Sequence, residues 1–218
     1  MTINQKELIE NITRLVVEEL QSHNFIETKT HVPVSISARH LHLQPEHVEI
    51  LFGKGYELTK FKEISQPGQF ACNEKVMLQG PKGTIENVRI LGPLRKQTQV
   101  EIARTDARKL GLNPPVRNSG NIAGSAPITL IGPHGSLTLG EGCIIADRHI
   151  HMTPLDARNF GVRDQQKVSV LVEGEKGGIM GQVTIRVRDN YALDMHIDTD
   201  DANAFNLAGN EQLKLIVD

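Results

Sequence analysis

The chain has no tryptophan, two cysteines, and aromatics at only 4% of its 218 residues. That scarcity excludes a core built on large rings, and the recurrence of Val, Ile, Leu and Gly favours one of small β-branched strands. Cys72 and Cys143 belong to no Cys-x-x-Cys pair. Two distant cysteines are too few for a disulfide framework and read as buried free thiols. No apolar run reaches the ~18 residues of a membrane-spanning helix. The opening residues include Glu7, Glu10, Glu18 and Glu19, unlike a secretory signal, so the chain reads as cytosolic. A formal net charge of −2 with no basic cluster excludes the electrostatic footprint of a nucleic-acid or anionic-membrane binder. Any phosphate must be met by local donors.

What is present changes period along the chain. Over residues 4–21, Leu8, Ile12, Leu15, Val16 and Leu20 fall on one helical stripe with charges opposite. A helix of about four turns cannot bury that stripe on itself and must dock, on a partner or in a dimer. The polar, aperiodic "SHNFIETKTH" that follows reads as a linker. Beyond it the period becomes two, predicting strands over 32–37, 75–80, 84–92, 97–103, 128–132, 136–140, 167–174 and 181–189, punctuated by Gly, Pro and Asn. Many short strands and no long helices argue for barrels or sandwiches rather than a parallel βαβ sheet. The length suits two modest domains.

Short helical units are predicted at 45–53, 105–111, 154–161 and 199–209, each opening on a capping or first-turn residue and closing on Gly. A potential metal ligand precedes each one: His42, Glu101, His151 and His196. Two of these belong to a repeat, "ARHLHL" (38–43) and "DRHIHM" (147–152), spaced 149 − 40 = 109 residues apart. The two-residue period of a strand sends both imidazoles of His-x-His to one face, roughly 6–7 Å apart. His40, His42, His149 and His151, with Glu101 and His196 in matching places, make six candidate ligands. Imidazole and carboxylate suit zinc, and six exceed what one zinc needs, so a dinuclear site or two adjacent sites is the simplest use of them. Structural zinc favours cysteine, which is absent from the pattern; the set leans towards catalysis, with a structural zinc as the alternative.

Arg95, in "GPLRKQTQVE", can reach a site at Glu101, and its planar fork suits phosphate. Arg39 and Arg148 precede the histidines, point to the opposite strand face, and read as braces for carboxylates or backbone. "RNSGNIAGSAP" (117–127) has neither P-loop nor dinucleotide spacing and reads as an inter-element loop. His31, His47 and His134 read as surface residues, and His23 lies in the linker.

"SARHLHL", "GPLRKQTQVEIARTDARKLG", "PPVRNSGNIAGS", "DRHIHMTP" and "MHIDTDDAN" occur in the order and spacing of the PduL-type phosphate acyltransferases. The chain resembles that family, the phosphotransacylases of bacterial microcompartments, over nearly its whole length. The resemblance implies a mainly β fold of two closely packed β-barrels capped by short helices, plus an N-terminal amphipathic helix. It implies a crossed layout: a helix at 1–22, a linker at 23–29, one barrel from 30–38 plus 147–218, and the other from 39–146. One zinc falls on His40, His42 and Glu101, the second on His149, His151 and His196, and the phosphate-binding arginine on Arg95. Coenzyme A contacts fall on Ser37, Lys62, Arg89 and Asn203.

The implied reaction interconverts a short-chain acyl-CoA, propanoyl or acetyl, plus phosphate with acyl phosphate plus coenzyme A. The first helix would carry the enzyme to shell or core proteins of a microcompartment, as in propanediol degradation, and a homo-oligomer is expected. A zinc-dependent thioester hydrolase and a non-catalytic zinc-stabilised scaffold are the competing readings.

Overall fold

The period-two runs fold as strands and the short capped runs as helices. The computed structural model describes residues 5–22 and 29–217. In chain order the elements are α1 (Gln5–Ser22), β1 (His31–Ser37), β2 (His40–His42), α2 (Pro45–Phe52), β3 (Lys60–Glu63), β4 (Phe70–Gly80), β5 (Gly83–Gly92), β6 (Gln99–Glu101), α3 (Arg104–Leu110), β7 (Val116–Arg117) and β8 (Ala126–Ile131). They continue as β9 (Ser136–Ala146), β10 (His149–Met152), α4 (Pro154–Phe160), β11 (Lys167–Val172), β12 (Gly178–Val187), β13 (Asp194–Asp198), α5 (Thr199–Phe205) and β14 (Gln212–Ile216).

Strands β1, β13, β10, β12, β11 and β14 close one barrel in that order. A second ring runs through β4, β5, β2, β6 and β9 and closes because β8 pairs with both β9 and β4. The fold is therefore the mainly β, two-barrel architecture expected. Each ring encloses its own core. Leu41, Ile90, Val100 and Leu130 fill the second, lidded by Leu51 of α2 and Leu110 of α3. Ile150, Met180, Ile185 and Met195 fill the first, lidded by Phe160 of α4 and Ala202 of α5. Burying each such side chain contributes about 1.5–3 kcal/mol, so each barrel has its own driving force.

The two rings share one pairing scheme. β2 lies parallel to β5 and antiparallel to β6, and β6 lies parallel to β9. Likewise β10 lies parallel to β12 and antiparallel to β13, and β13 lies parallel to β1. The strand entering each Arg-His-x-His motif thus completes the opposite ring: β1 leads into β2 but belongs with β10–β14, and β9 leads into β10 but belongs with β2–β8. The helices sit tightly on hairpin ends. A Cβ on Gly80 would collide with the Leu110 carbonyl of α3, and one on Gly132 with the Leu51 carbonyl of α2.

Some local expectations fail. The fourth cap helix ends three residues early, on Asn206 in the left-handed conformation (φ 54°), a role Asn can fill in place of Gly209. Strands β3, β7, β13 and β14 have no counterpart among the predicted strands. The short exposed β3 (KFKE) carries no apolar alternation to reveal it. His47 is half-buried rather than free on the surface, because its Nδ1 meets Thr98 Oγ1 at 2.7 Å. In α1, Leu8, Ile12, Leu15 and Val16 are all exposed, so the stripe is unburied within this chain; the Leu20 side chain and linker residues 23–28 lie outside the described residues. Among the described residues no helix is long and apolar enough to cross a membrane.

Candidate functional site

The alternation of β2 and β10 sorts their side chains. Leu41 and Ile150 point into the barrel cores, which turns the flanking histidines outward onto a cleft between the barrels. In the ladders, His40 stands directly opposite Glu101 on β6, and His149 opposite His196 on β13. Two trios result, His40–His42–Glu101 and His149–His151–His196, in each of which one ligand atom per residue lies within 4.8 Å of the others. The six residues line one cleft of about 200 Å³ together with Arg95. That is below the ~300 Å³ of pockets that enclose drug-sized ligands.

The histidines are set as electron-pair donors. His40 Nδ1 bonds the Ala38 carbonyl at 2.8 Å, His149 Nδ1 the Asp147 carbonyl at 2.7 Å, and His42 Nδ1 the Leu91 carbonyl at 3.1 Å. A carbonyl only accepts, so each Nδ1 carries a proton, and in His42 and His149, the rings held neutral, Nε2 keeps its lone pair. Burial and the neighbouring imidazoles push His149 down to about 4 and His151 down to about 2. Burial, with His40 and Arg95 nearby, takes His42 well below the usual histidine range.

Burial disfavours the Glu101 carboxylate, but His40, with Nε2 at 3.5 Å, outweighs it and holds Glu101 well below the ordinary carboxylate range. Burial likewise works against a charged His40, and Glu101 raises it in return. His196 Nε2 meets Asp194 Oδ2 at 3.0 Å and Ser65 Oγ at 3.1 Å. His151 Nδ1 and Asp194 Oδ1 are buried without a partner. Neutral imidazoles oriented by carbonyls, one ionised carboxylate and orphaned buried polar atoms together fit divalent zinc.

Arg95 also faces the cleft. Its Nη1 donates to Ser119 Oγ at 3.1 Å, and Ser119 in turn donates to Glu101 Oε1 at 2.9 Å. Burial lowers the Arg95 pKa, and the nearby Arg186 lowers it further. Glu101 opposes both effects, but among the described residues no carboxylate lies within ion-pair distance of Arg95 or Arg186, which leaves two guanidinium groups open to an anion at the cleft.

The structure gathers all seven of the expected metal and phosphate residues. Of the four residues expected to contact coenzyme A, Ser37 lines the cleft. Lys62 and Asn203 are exposed outside it, and Arg89 lies beyond the cleft lining, packed over the Phe61 ring at 4.8 Å.

Several residues in or behind the cleft lining went unread. Asp194 sits two residues before His196 on one strand, a period-two signal that could have found it. Arg186, directly across the ladder from His151, reads in "TIRVRD" as the solvated side of an amphipathic strand. Ser119 belongs to a loop with neither P-loop nor dinucleotide spacing, yet it donates to the site carboxylate. Gln66 gives no local cue; its amide exchanges two hydrogen bonds with the Ala192 backbone in the other barrel.

Comparison with known proteins sets the class of this two-barrel, imidazole-lined molecule: it is an acyltransferase. The family model described as phosphate propanoyltransferase matches residues 33–208, and the chain belongs to that family. A phosphate propanoyltransferase of Lachnoclostridium phytofermentans is 58% identical over 197 residues, covering 90% of this chain and 92% of the relative. One from Thermotoga maritima is 57% identical, covering 78% and 82%, and one from Priestia megaterium is 53% identical, covering 91% of each.

Proposed function

We propose that the chain transfers a propanoyl or acetyl group between coenzyme A and inorganic phosphate at two zinc ions, one on His40, His42 and Glu101 and one on His149, His151 and His196. The observation that carries this reading is the opening of both trios and Arg95 onto a single cleft. Bound zinc supplies Lewis acidity for the thioester carbonyl and for charge on the departing sulfur.

The chain's own residues do the remaining work. Arg95, with no carboxylate in direct contact, presents its fork to phosphate, and Ser119 fixes one of its nitrogens. A phosphate oxygen attacks the thioester carbonyl, the carbon–sulfur bond breaks, and coenzyme A leaves with the proton that phosphate gives up. Direct transfer between two held substrates needs no acylated side chain. Cys72 and Cys143 are poorly suited to that role: burial pushes their thiols up to about 11 and about 12, so neither is a thiolate near neutral pH.

Ser37, at the cleft, and Arg89, Lys62 and Asn203, outside it, are proposed as coenzyme A contacts, consistent with a carrier too large for the cleft. The barrels, from 30–38 plus 147–218 and from 39–146, are proposed as the domain units. We further propose that the exposed stripe of α1 docks on microcompartment proteins and that the enzyme works as a homo-oligomer inside that compartment.

The deciding experiment is a coupled assay of the purified protein with acetyl-, propanoyl- and butanoyl-CoA, with and without phosphate, alongside metal analysis. Acyl phosphate that depends on phosphate, and about two zincs per chain, are expected. Thioester loss at the same rate without phosphate would indicate a hydrolase, and unfolding on chelation would indicate a structural metal.

A further inference from the structure

Each Arg-His-x-His motif contains an arginine that reaches neither trio. Arg39 Nε lies 3.0 Å from both carboxylate oxygens of Asp106, and its Nη2 lies 2.9 Å from Oδ1. Arg148 Nη2 lies 2.8 Å from Asp201 Oδ1. The two pairs occupy equivalent places. Each arginine immediately precedes the first histidine of its trio, and each aspartate follows the third ligand by five residues, 106 − 101 and 201 − 196.

Each aspartate stands in the first turn of the helix that leaves the third ligand's strand, α3 or α5. Asp106 also accepts from the Ala103 N–H, and Asp201 donates its own N–H to Asp198 Oδ1. The first and third ligands of each trio are therefore joined twice, by the strand ladder on one side and by the Arg–Asp pair on the other. The arginine also sits where the chain bends from one ring into the other. The carbonyl just before it, Ala38 or Asp147, is the one that orients the first histidine. The two braces meet, since Thr105 N donates to Asp200 Oδ2 at 2.8 Å across the barrel boundary.

We infer that Arg39 and Arg148 are positioning residues, each holding the first histidine and the third ligand of its own trio at metal-binding separation and leaving the other trio unaffected. The inference rests on the reading that the trios hold zinc. Arg39 grips Asp106 with two nitrogens and Arg148 spans Asp201 and the Gly181 carbonyl with its two Nη atoms; a planar guanidinium so held fixes direction as well as distance, which a solvated lysine does not. Partners that orient metal ligands typically govern about 10- to 100-fold in metal affinity.

The test is zinc titration of the full-length protein against a chromophoric chelator, with thermal unfolding of the metal-free form as the control. Arg39→Gln is expected to weaken one of two sites about 10- to 100-fold. Combined with His149→Ala, which leaves only the first trio, Arg39→Gln should show that loss; combined with His40→Ala, which leaves only the second, it should not. Arg148→Gln should behave in the mirror sense. Arg39→Lys and Arg148→Lys keep the charge and lose the fork, so they should fall between Gln and wild type, and they carry the same reading should a Gln variant fail to fold. Zinc affinities within twofold of wild type at both sites overturn the inference, as does equal weakening of both sites with an earlier unfolding of the metal-free form. A wild-type protein that binds no zinc sinks the metal reading itself, which separates the two failures.

Discussion

Ser119 donates its hydroxyl proton to Glu101 from a loop eighteen residues further along the chain, at 2.9 Å. The same oxygen accepts from Arg95 and from Gln99 Nε2, the latter at 2.8 Å. One hydroxyl therefore couples the buried carboxylate of the first trio to Arg95, the arginine proposed to bind phosphate. Ser119→Ala leaves the carboxylate short of a donor and Arg95 unanchored. The expected cost is about 1–3 kcal/mol, or roughly 5- to 150-fold in kcat/KM. Steady-state kinetics check it, and an unchanged kcat/KM would show the hydroxyl to be a bystander.

Arg186 shares a ladder position with His151 and has no carboxylate partner among the described residues. It adds a second guanidinium, from the other barrel, to the one supplied by Arg95. Arg186→Gln is expected to raise the KM for phosphate about tenfold or more, as loss of a charge-assisted hydrogen bond would, while the KM for acyl-CoA stays within about twofold. Equal rises in both would place Arg186 on the carrier instead.

The histidine shifts set a pH dependence for the metal-free protein. His42, His149 and His151 have folded pKa values below the unfolded histidine value. As pH falls below about 6.5 the unfolded chain takes up protons that the folded chain refuses, so stability is lost in that direction. Between about pH 6.5 and 4 each such group removes up to about 1.4 kcal/mol per pH unit. His40, raised by Glu101, is protonated in both states there and adds no slope. Melting temperatures measured across this window should fall with acidification; a flat profile would contradict the neutral assignment of the three rings.

Removal of residues 1–22 tests the autonomy of the barrels. The described residues of α1 from Leu8 to Glu19 are all exposed, and none joins either core. The truncated protein is expected to melt within a few degrees of full length, since less than ~1 kcal/mol separates them, and to keep its turnover. Co-sedimentation with shell or core proteins should be lost. Unfolding on truncation would place the helix in the core.

Gly132→Ala tests the contact between cap and barrel. The added methyl meets the Leu51 carbonyl at the end of α2, and backbone cannot move aside as a long side chain can. A loss of about 1–3 kcal/mol in urea unfolding is expected from overpacking of this kind. Gly55→Ala serves as a comparison, since a Cβ there meets nothing within 4 Å and leaves only the strain of its positive φ (74°).

Much of this was legible because period and residue type coincide. Alternation in β1, β5 and β12 and the caps of α2 and α4 are local properties, and the chain carries them openly. The six candidate ligands were legible for a similar reason: His-x-His on a strand puts two imidazoles on one face, and Glu101 and His196 stand in matching places ahead of short capped helices, while their division into two trios came from the family resemblance. What escaped depends on long-range geometry. Ser119 gains its role only because the glycine-rich loop folds back over β6, and Arg186 only because β12 lies beside β10. Three-residue strands such as β6 are too short for periodicity to bound, and β3 exists through pairing with β4 rather than through its own pattern.

The crossing of β1 into the far barrel also fixes an order of assembly. The ring built from β2 to β9 is contiguous and can close as soon as residue 146 has been made. The other must pair His31 with Lys214, residues 214 − 31 = 183 apart, and that closure carries the loop entropy and slow kinetics of long-range strand pairing. Until β13 and then β14 are made, β1 waits as an unpaired strand, open to aggregation. The second trio lacks its third member until His196 on β13 has been made and paired with His149, so a chain cut short before β13 would carry one complete trio beside an open sheet.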